Sequence, residues 1–360
     1  MSEIKVNSIK GVGASAAAIT VNNTDGTCTA NLSNRQNRNL IINGAMQVAQ
    51  RGTSSTSAGY TTVDRFVFSW SGTDESPTQE QADVASGTTP YSLGFRKSYK
   101  VTNGNQTGGA GNSDYVRFYQ VIESQNIASS GWNYVSSSSN ITLSFWIKSS
   151  VAQNFYGYLL TQDGSAQMYP YETGSLSADT WTKVTKTIPG NSNLQFDNDA
   201  NQGFYFFLWP FAGTDFTNNS ATNDAWTAYS GSARMKDATS TWYTTNDATL
   251  EITGVQLEVG SVATDFEHRS FAQELALCQR YYYQMWTGTE QGFYFMYYSS
   301  NYKMVQIEHI VPMRASPSMT FNLNSGSSTG WTSNEYQYKA YVPMSGGSYT
   351  EGTVTASAEL

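Results

Sequence analysis

Two histidines, His268 and His309, are all the imidazole this 360-residue chain has. A Ser-His-Asp arrangement would have to use one of them, and no G-x-S-x-G elbow occurs. His268 stands between Glu267 and Arg269, just ahead of a helical stretch; a junction residue hydrogen-bonded to backbone is the simpler reading. His309 falls in an alternating stretch and reads as a half-buried sheet position. Carboxylates number 28, and a pair across a cleft could hydrolyse a glycoside. The clusters are Asp74/Glu75, the "DND" run at 197–199 and Asp224, and spacing places no two of them across a cleft. The "DND" run has the hard oxygens that suit Ca²⁺, but it follows a proline turn and reads more simply as a solvated one. Cys28 and Cys278 form no C-x-x-C and no Cys/His spacing for zinc. The expectation is a chain with no catalytic residue, no metal and no cofactor.

A different chemistry is available in the connection 211–249. It gathers Trp226, Tyr229, Trp242 and Tyr243 among Asn223, Asp224, Asn246 and Asp247. Sugars bind where aromatic faces take C–H surfaces and amides or carboxylates take hydroxyls. Trp226, Trp242 and Tyr229, with Asn223, Asp224 and Asp247 as hydroxyl partners, are therefore the candidate glycan residues. The competing account makes these aromatics anchors that pin a long loop to its scaffold. If glycan is bound, the low charge of the chain favours neutral sugars.

The elements that must position such residues follow from composition. Charged residues make up 13 % and aromatics 14 %, against a usual charged share of about 25 %. That balance fits a β-rich protein with neutral, hydrogen-bonding surfaces. A net charge of −8 with no basic run argues against nucleic acid and anionic membranes as partners. No apolar run has the length of a membrane span, and "MSEIKVNSIKGVG" lacks the core of a signal peptide. Free thiols fit assembly in a reducing cytoplasm.

From 39 to 267 the pattern is period two, which argues for a β-sandwich. In "ITLSFWIKSS", Ile141, Leu143, Phe145 and Ile147 share one face. In "DYVRFYQVIE", Val116, Phe118 and Ile122 do. Val184 and Ile188 lie in a strand that stops at Pro189-Gly190. "GFYFFLWPF" is apolar on both faces and reads as a central, covered strand. "ATLEITGVQLEVG" alternates through Leu250 and Ile252, then shifts phase at a bulge on Gly254 before Val255, Leu257 and Val259. "SFAQELALCQRYYYQMW" carries Ser270 and Gln273 at capping-box spacing, with Leu275, Cys278, Tyr282 and Met285 at helical spacing; the expected helix leaves through Gly288. Residues 1–38 are too small and polar for a core and read as an extended arm, and 268–360 as a small, aromatic-rich β-module behind the helix. Both lack core, which predicts association into a symmetric oligomer.

The stretches "NLIINGAMQVAQRGTS…GYTTVDRF", "ITGVQLEVGSVATDFEHRSFAQELALCQRYY" and "VPMRASPSMTF" resemble, in this order, signatures of tail-fibre-type virion proteins of bacteriophages, marine phages especially. The resemblance implies an N-terminal virion-attachment arm at 1–38 and a jelly-roll sandwich at 39–267 like carbohydrate-binding modules. A helix-led C-terminal β-domain at 268–360 and a homotrimer complete the picture. The implied location is the virion, assembled in the host cytoplasm, with other virion proteins and a host-surface glycan as partners. In that family the first signature is scaffold: Leu40, Ile42 and Met46 would make core contacts in a first strand, Gly44 and Gly52 would permit tight backbone, and Asp64-Arg65 would tie the turn. Two alternatives stay open: a purely structural head, collar or tail appendage, and a polysaccharide depolymerase. The latter is disfavoured because the expected β-helix repeat is missing.

Overall fold

Strands buried on one face must find a second layer, and here the period-two segments form two antiparallel six-stranded sheets facing one another. The computed structural model describes residues 37–285 without a break, and elsewhere 6–10, 12, 19–21, 24, 28–30, 292–294, 296–297, 302–323, 330–343 and 349–360. The front sheet runs, edge to edge, Thr227–Ala228, Gln167–Ser175, Asn154–Thr161, Gln202–Ala212, Tyr115–Glu123 and Phe66–Ser71. The back sheet runs Thr182–Pro189, Asn140–Ser149, Thr249–Val259, Lys97–Thr102, Thr78–Asp83 and Ser54–Ser55. The chain crosses repeatedly between them, the jelly-roll manner of closing a sandwich.

The core between the sheets holds the side chains that alternation assigns to it: Ile141, Leu143, Phe145 and Ile147 from one strand, Val116, Phe118 and Ile122 from another. Gln202–Ala212 is central and buried on both faces, with Phe204, Phe206 and Leu208 inside and Tyr205, Phe207 and Trp209 in a second cluster outside. The bulge falls on Gly254, where φ is +63° and the pairing with Asn140–Ser149 slips between Thr253 and Gln256. That slip lets Leu250 and Ile252 share the core with Val255 and Leu257 despite the odd spacing. Val259 departs from expectation: it is 39 % exposed, at the end of its strand.

The stretch "NLIINGAMQVAQRG" is not a strand. Asn43 and Met46 take left-handed φ of 60° and 58°, which breaks any ladder and turns the segment into a plug at one end of the sandwich. Ile41 and Met46 enter the core and the half-buried Leu40 packs against it, whereas Ile42, expected there, is half-buried outside it. Its backbone is held by side chains instead: Gln120 Nε2 donates to Ile42 O at 2.8 Å, and Ile42 N donates back to Gln120 Oε1 at 2.9 Å. Asn39 Oδ1 accepts from Ile41 N and Leu257 N, both at 3.0 Å. Gly44 lies so near Val255 O that a Cβ would sit 2.1 Å from it. Asp64 Oδ1 accepts from Gln50 N at 2.9 Å, which closes the turn.

The helix spans Phe271–Gln279 and starts at the full capping box, Ser270 with Gln273. It is shorter than its apolar spacing suggests. Glu274 and Cys278 are its buried residues, and Tyr282 and Met285 belong to the next strand, Tyr282–Met285; Gly288 lies outside the described residues. Cys278 is a buried free thiol. Beyond the helix are two four-stranded sheets around a small core of Tyr283, Met313, Met319, Tyr338, Val354 and three alanines. Tyr349–Ser357 is the hub of the first, pairing with Tyr282–Met285, Gly292–Tyr294 and Ser318–Leu323. Of the arm, the described pieces Ser8–Ile9, Ile19–Val21 and Cys28–Ala30 pair antiparallel.

Sandwich and second module meet through buried charge. Arg65, 1 % exposed, pairs with Glu359, donates to Val121 O at 2.7 Å, and lays its guanidinium 3.4 Å from the Tyr281 ring centre. Arg51 reaches the same Glu359 at 3.1 Å and stacks on Tyr282 at 3.4 Å. Glu123, fully buried, takes both Nε and Nη2 of Arg280 at 2.8 Å and the Tyr281 hydroxyl. Burial pushes its carboxyl up, but the hydrogen bonds from Arg280 and Tyr281 more than offset that and leave it below the ordinary range.

Candidate functional site

The connection 211–249 does not assemble the six candidate residues into one site. Trp242 is fully enclosed. Its backbone N donates to Gln153 Oε1 at 2.9 Å, and neighbouring Tyr243 stacks on Phe211 at 4.3 Å. An indole with no exposed face cannot be a stacking platform, so Trp242 is an anchor. Trp226 is half-buried at the edge of the front sheet, donating from Nε1 to Pro189 O at 2.7 Å and meeting Tyr169 edge-on at 5.3 Å. Asn223 and Asp224 adjoin it; Asp224 pairs with Lys186 at 3.1 Å, and the Asn223 amide is enclosed without a partner. Asp247 occupies an exposed left-handed turn, φ 55°. Tyr229, 39 % exposed, lies elsewhere again, its hydroxyl accepting from Arg234 Nε at 3.1 Å.

Arg234 leads to a surface that the sequence reading missed, the outer face of the front sheet. Register places Tyr158 opposite Phe207 and Phe207 opposite Tyr119, so three adjacent strands present an unbroken aromatic row. Ring centres are 4.5 Å apart for Tyr158–Phe207 and 4.7 Å for Phe207–Tyr119, and Tyr205 lies parallel to Phe207 at 5.4 Å. Each such pair contributes about 0.5–1.5 kcal/mol beyond burial. Tyr158, Phe207, Tyr205 and Trp209 are themselves buried, at 1–7 % exposure, and solvent reaches this face at the half-buried Tyr115, Arg117, Tyr119 and Tyr156. The legible signal was the other phase of the same alternation: Tyr115, Arg117, Tyr119 on one strand and Tyr205, Phe207, Trp209 on the next.

Two cations lie on this face. The Arg117 guanidinium is 4.9 Å from the ring centre of Tyr115, 5.0 Å from Trp209 and 5.6 Å from Tyr119. Arg234 lies 5.5 Å from the same Trp209 and 4.9 Å from Phe216. The phenols remain protonated at neutral pH. Burial pushes Tyr205 up to about 12 and raises Tyr119 and Tyr158, with Arg117 pulling the latter two back only in part. The face thus combines apolar ring surfaces, hydroxyls that both donate and accept, and fixed positive charge.

On the back sheet the Gly254 bulge opens a cleft of about 240 Å³ lined by Trp146, Phe266, His268 and Lys183. His268 Nε2 meets Leu93 O at 2.8 Å, the expected backbone contact. His309 lies just past the strand Tyr302–Glu308 rather than in it, between the Tyr283 hydroxyl and Asn334 O, the latter at 3.0 Å from Nε2. Asp74 and Glu75 accept from the backbone of Gly108 and Asn105 and fasten a loop. Asp197 is exposed and Asp199 half-buried. Among the described residues no three His, Cys, Asp or Glu come together as a metal site, and no helix is long and apolar enough to cross a membrane.

No family model and no curated protein matches the sequence. Among solved structures, the chain is similar to the enzymatically active domain of tailspike protein 4 of bacteriophage CBA120, at 12 % identity and TM-score 0.34; the likeness covers 62 % of this chain and 21 % of that one. A structure described as CBM4 is similar at 12 % identity and TM-score 0.31 over 61 % of this chain and 99 % of that one. The tripod from the baseplate of bacteriophage Tuc2009 is similar at 12 % identity and TM-score 0.31, over 95 % of this chain and 96 % of that one. Scores of this size leave the function to be argued from the residues themselves.

Proposed function

We propose that the chain is a fibre-type virion protein of a bacteriophage that attaches to host-surface glycan through the outer face of its front sheet. The observation that carries the glycan reading is the group of half-buried rings Tyr115, Tyr119 and Phe216, with their hydroxyls where tyrosine supplies them, beside the Arg117 and Arg234 guanidinium groups. Flat rings accept sugar C–H faces, and fixed donors select hydroxyl patterns. The virion reading rests on the three signatures in their order. Tyr229 belongs to this face, and Trp226 with Asn223 and Asp224 borders the sheet edge beside it. The same reading makes the protein a non-enzymatic homotrimer docked to the particle through 1–38. The small cores of the arm and of the second module support the association.

The test is a glycan array probed with the purified chain, the Tyr119→Ala variant and the Trp146→Ala variant, with sedimentation run in parallel. Retention of a glycan class that Tyr119→Ala weakens at least tenfold, in a variant that still folds and melts cooperatively, is the expected result. Weakening by Trp146→Ala alone would move the site to the back-sheet cleft. No retention, with Tyr119→Ala dissociating the oligomer, would make the face a subunit contact and the protein a purely structural appendage.

A further inference from the structure

We infer that the glycan is acidic: the outer face of the front sheet is built to take a sugar carboxylate between Arg117 and Arg234. This rests on the glycan reading above and narrows it. The observation is how the chain treats its other arginines. Arg38, Arg51, Arg65, Arg269 and Arg280 each meet a carboxylate. Arg96 and Arg314 donate to backbone carbonyls. Among the described arginines, only the side chains of Arg117 and Arg234 reach neither, and both lie against one indole, Trp209. Arg234 spends one N–H on the Tyr229 hydroxyl. Arg117 makes no hydrogen bond, and its Nε is enclosed without a partner, as is Nε1 of Trp209. In a chain with eight more acidic than basic side chains, two cations against one indole with no carboxylate on either mark a place that an anion completes.

The geometry selects among anions. A guanidinium lying against rings is held in orientation, and its N–H edge is the fork that a planar carboxylate accepts in two parallel hydrogen bonds. The rings that reach solvent beside the cations are the half-buried Tyr115, Tyr119 and Phe216, a short row above the buried Phe207 and Tyr158. A charged group at one end and ring faces along the sheet fit a uronate or sialate within a longer saccharide. A free small anion would leave the row unused, and a neutral sugar would leave both cations unused. The low overall charge that favoured neutral sugars from sequence is thus overridden locally, because folding brings together two arginines from positions 117 and 234.

The full-length protein is to be measured by biolayer interferometry against polygalacturonate, alginate and polysialate, each beside its carboxyl-reduced counterpart, with dextran sulfate as the polyanion control. At least one acidic polymer is expected to bind at least tenfold more tightly than its reduced form, and dextran sulfate to bind weakly. Arg117→Gln and Arg234→Gln should each remove most of that tenfold preference, leave residual binding to the reduced polymer, and preserve the melting temperature. Equal binding of acidic and reduced forms overturns the carboxylate assignment while leaving a glycan-binding face intact. Dextran sulfate binding as tightly as the carboxylated polymers, or Arg117→Gln with an unchanged preference, overturns it as well. No retention of any polymer overturns the acidic assignment and the glycan reading together.

Discussion

Arg65 and Arg117 lie at opposite extremes of what this chain does with a guanidinium. Arg65 is 1 % exposed and meets a counter-charge, with Glu359, Val121 O and the Tyr281 ring around it, although its Nε, like that of Arg117, has no partner. Arg117 lies over Tyr115, Tyr119 and Trp209 and has no acceptor at all among the described residues. A desolvated charge is costly unless geometry and hydrogen bonds compensate it, so Arg65 is where the structure closes on itself. Arg117 is half-buried with its Nε enclosed, and its remaining nitrogens keep contact with solvent until something binds. The difference separates a joint from a surface: the junction between sandwich and second module satisfies its charges internally, and the front face leaves them unmet.

Breaking the joint should have the largest effect. Glu359→Gln removes the charge that Arg65 and Arg51 share, and leaving a buried guanidinium uncompensated should cost about 3–5 kcal/mol in chemical denaturation. A loss below about 1 kcal/mol would show that the junction is wet and the contrast with Arg117 overdrawn. Trp242→Ala comes next. Deleting a fully enclosed indole should cost about 3–5 kcal/mol, and the half-buried Trp226 less; the reverse order in melting temperature would mean that Trp242 is not an anchor.

A smaller, pH-dependent effect belongs to the second module. Burial holds His309 below its ordinary value of 6.5, and its Nε2 faces Asn334 O while the Tyr283 hydroxyl faces Nδ1. The unfolded chain therefore binds the extra proton first as pH falls. The stabilising contribution of neutral His309 is complete above pH 6.5 and declines as pH drops through 6.5 toward the lower folded value. Protection factors at Tyr338 and Ala340, with the intrinsic pH dependence of exchange divided out, should fall between pH 7 and about 5.5, with those of the sandwich unaffected, since carboxylates titrate lower. His309→Gln should flatten that trend, and an unchanged slope would place the titrating group elsewhere. Smallest of all is Arg117→Gln in the absence of ligand, expected within about 0.5 kcal/mol of the parent; a loss near that of Glu359→Gln would make Arg117 part of the scaffold.

Much of this architecture was legible in sequence wherever one residue's neighbours along the chain decide its fate. The alternation in Asn140–Ser149, the phase slip at Gly254 and the Ser270/Gln273 box are local patterns with local causes. The opening plug misled because alternation cannot show that Asn43 and Met46 adopt positive φ, which removes Leu40 and Ile42 from a strand. The helix was overextended because Tyr282 and Met285 keep helical spacing while pairing with Ser357 and Val354. Trp226 and Trp242 looked alike in sequence; what separates them is which layer covers each. Arg65 and Arg117 could not be told apart either, since the Glu359 that completes one lies 294 residues away.

That separation has a consequence for synthesis. Arg65 is translated 294 residues before Glu359, which at 5–20 residues per second is roughly 15 to 60 s. Tyr349–Ser357, the strand on which three others of the second module pair, emerges in the same late interval. From the completion of the sandwich at Val259 until Glu359 is made, the nascent sandwich carries a cationic socket and an unclosed end, and Tyr282–Met285 lacks its partner strand. Ribosome-bound chains arrested before residue 349 should be cut by protease between 280 and 320 while the sandwich resists; protection of that stretch at the shorter length would show that the joint closes without its final strand. The segment 349–359 thus acts as a latch, and a chain truncated before it would leave that joint open.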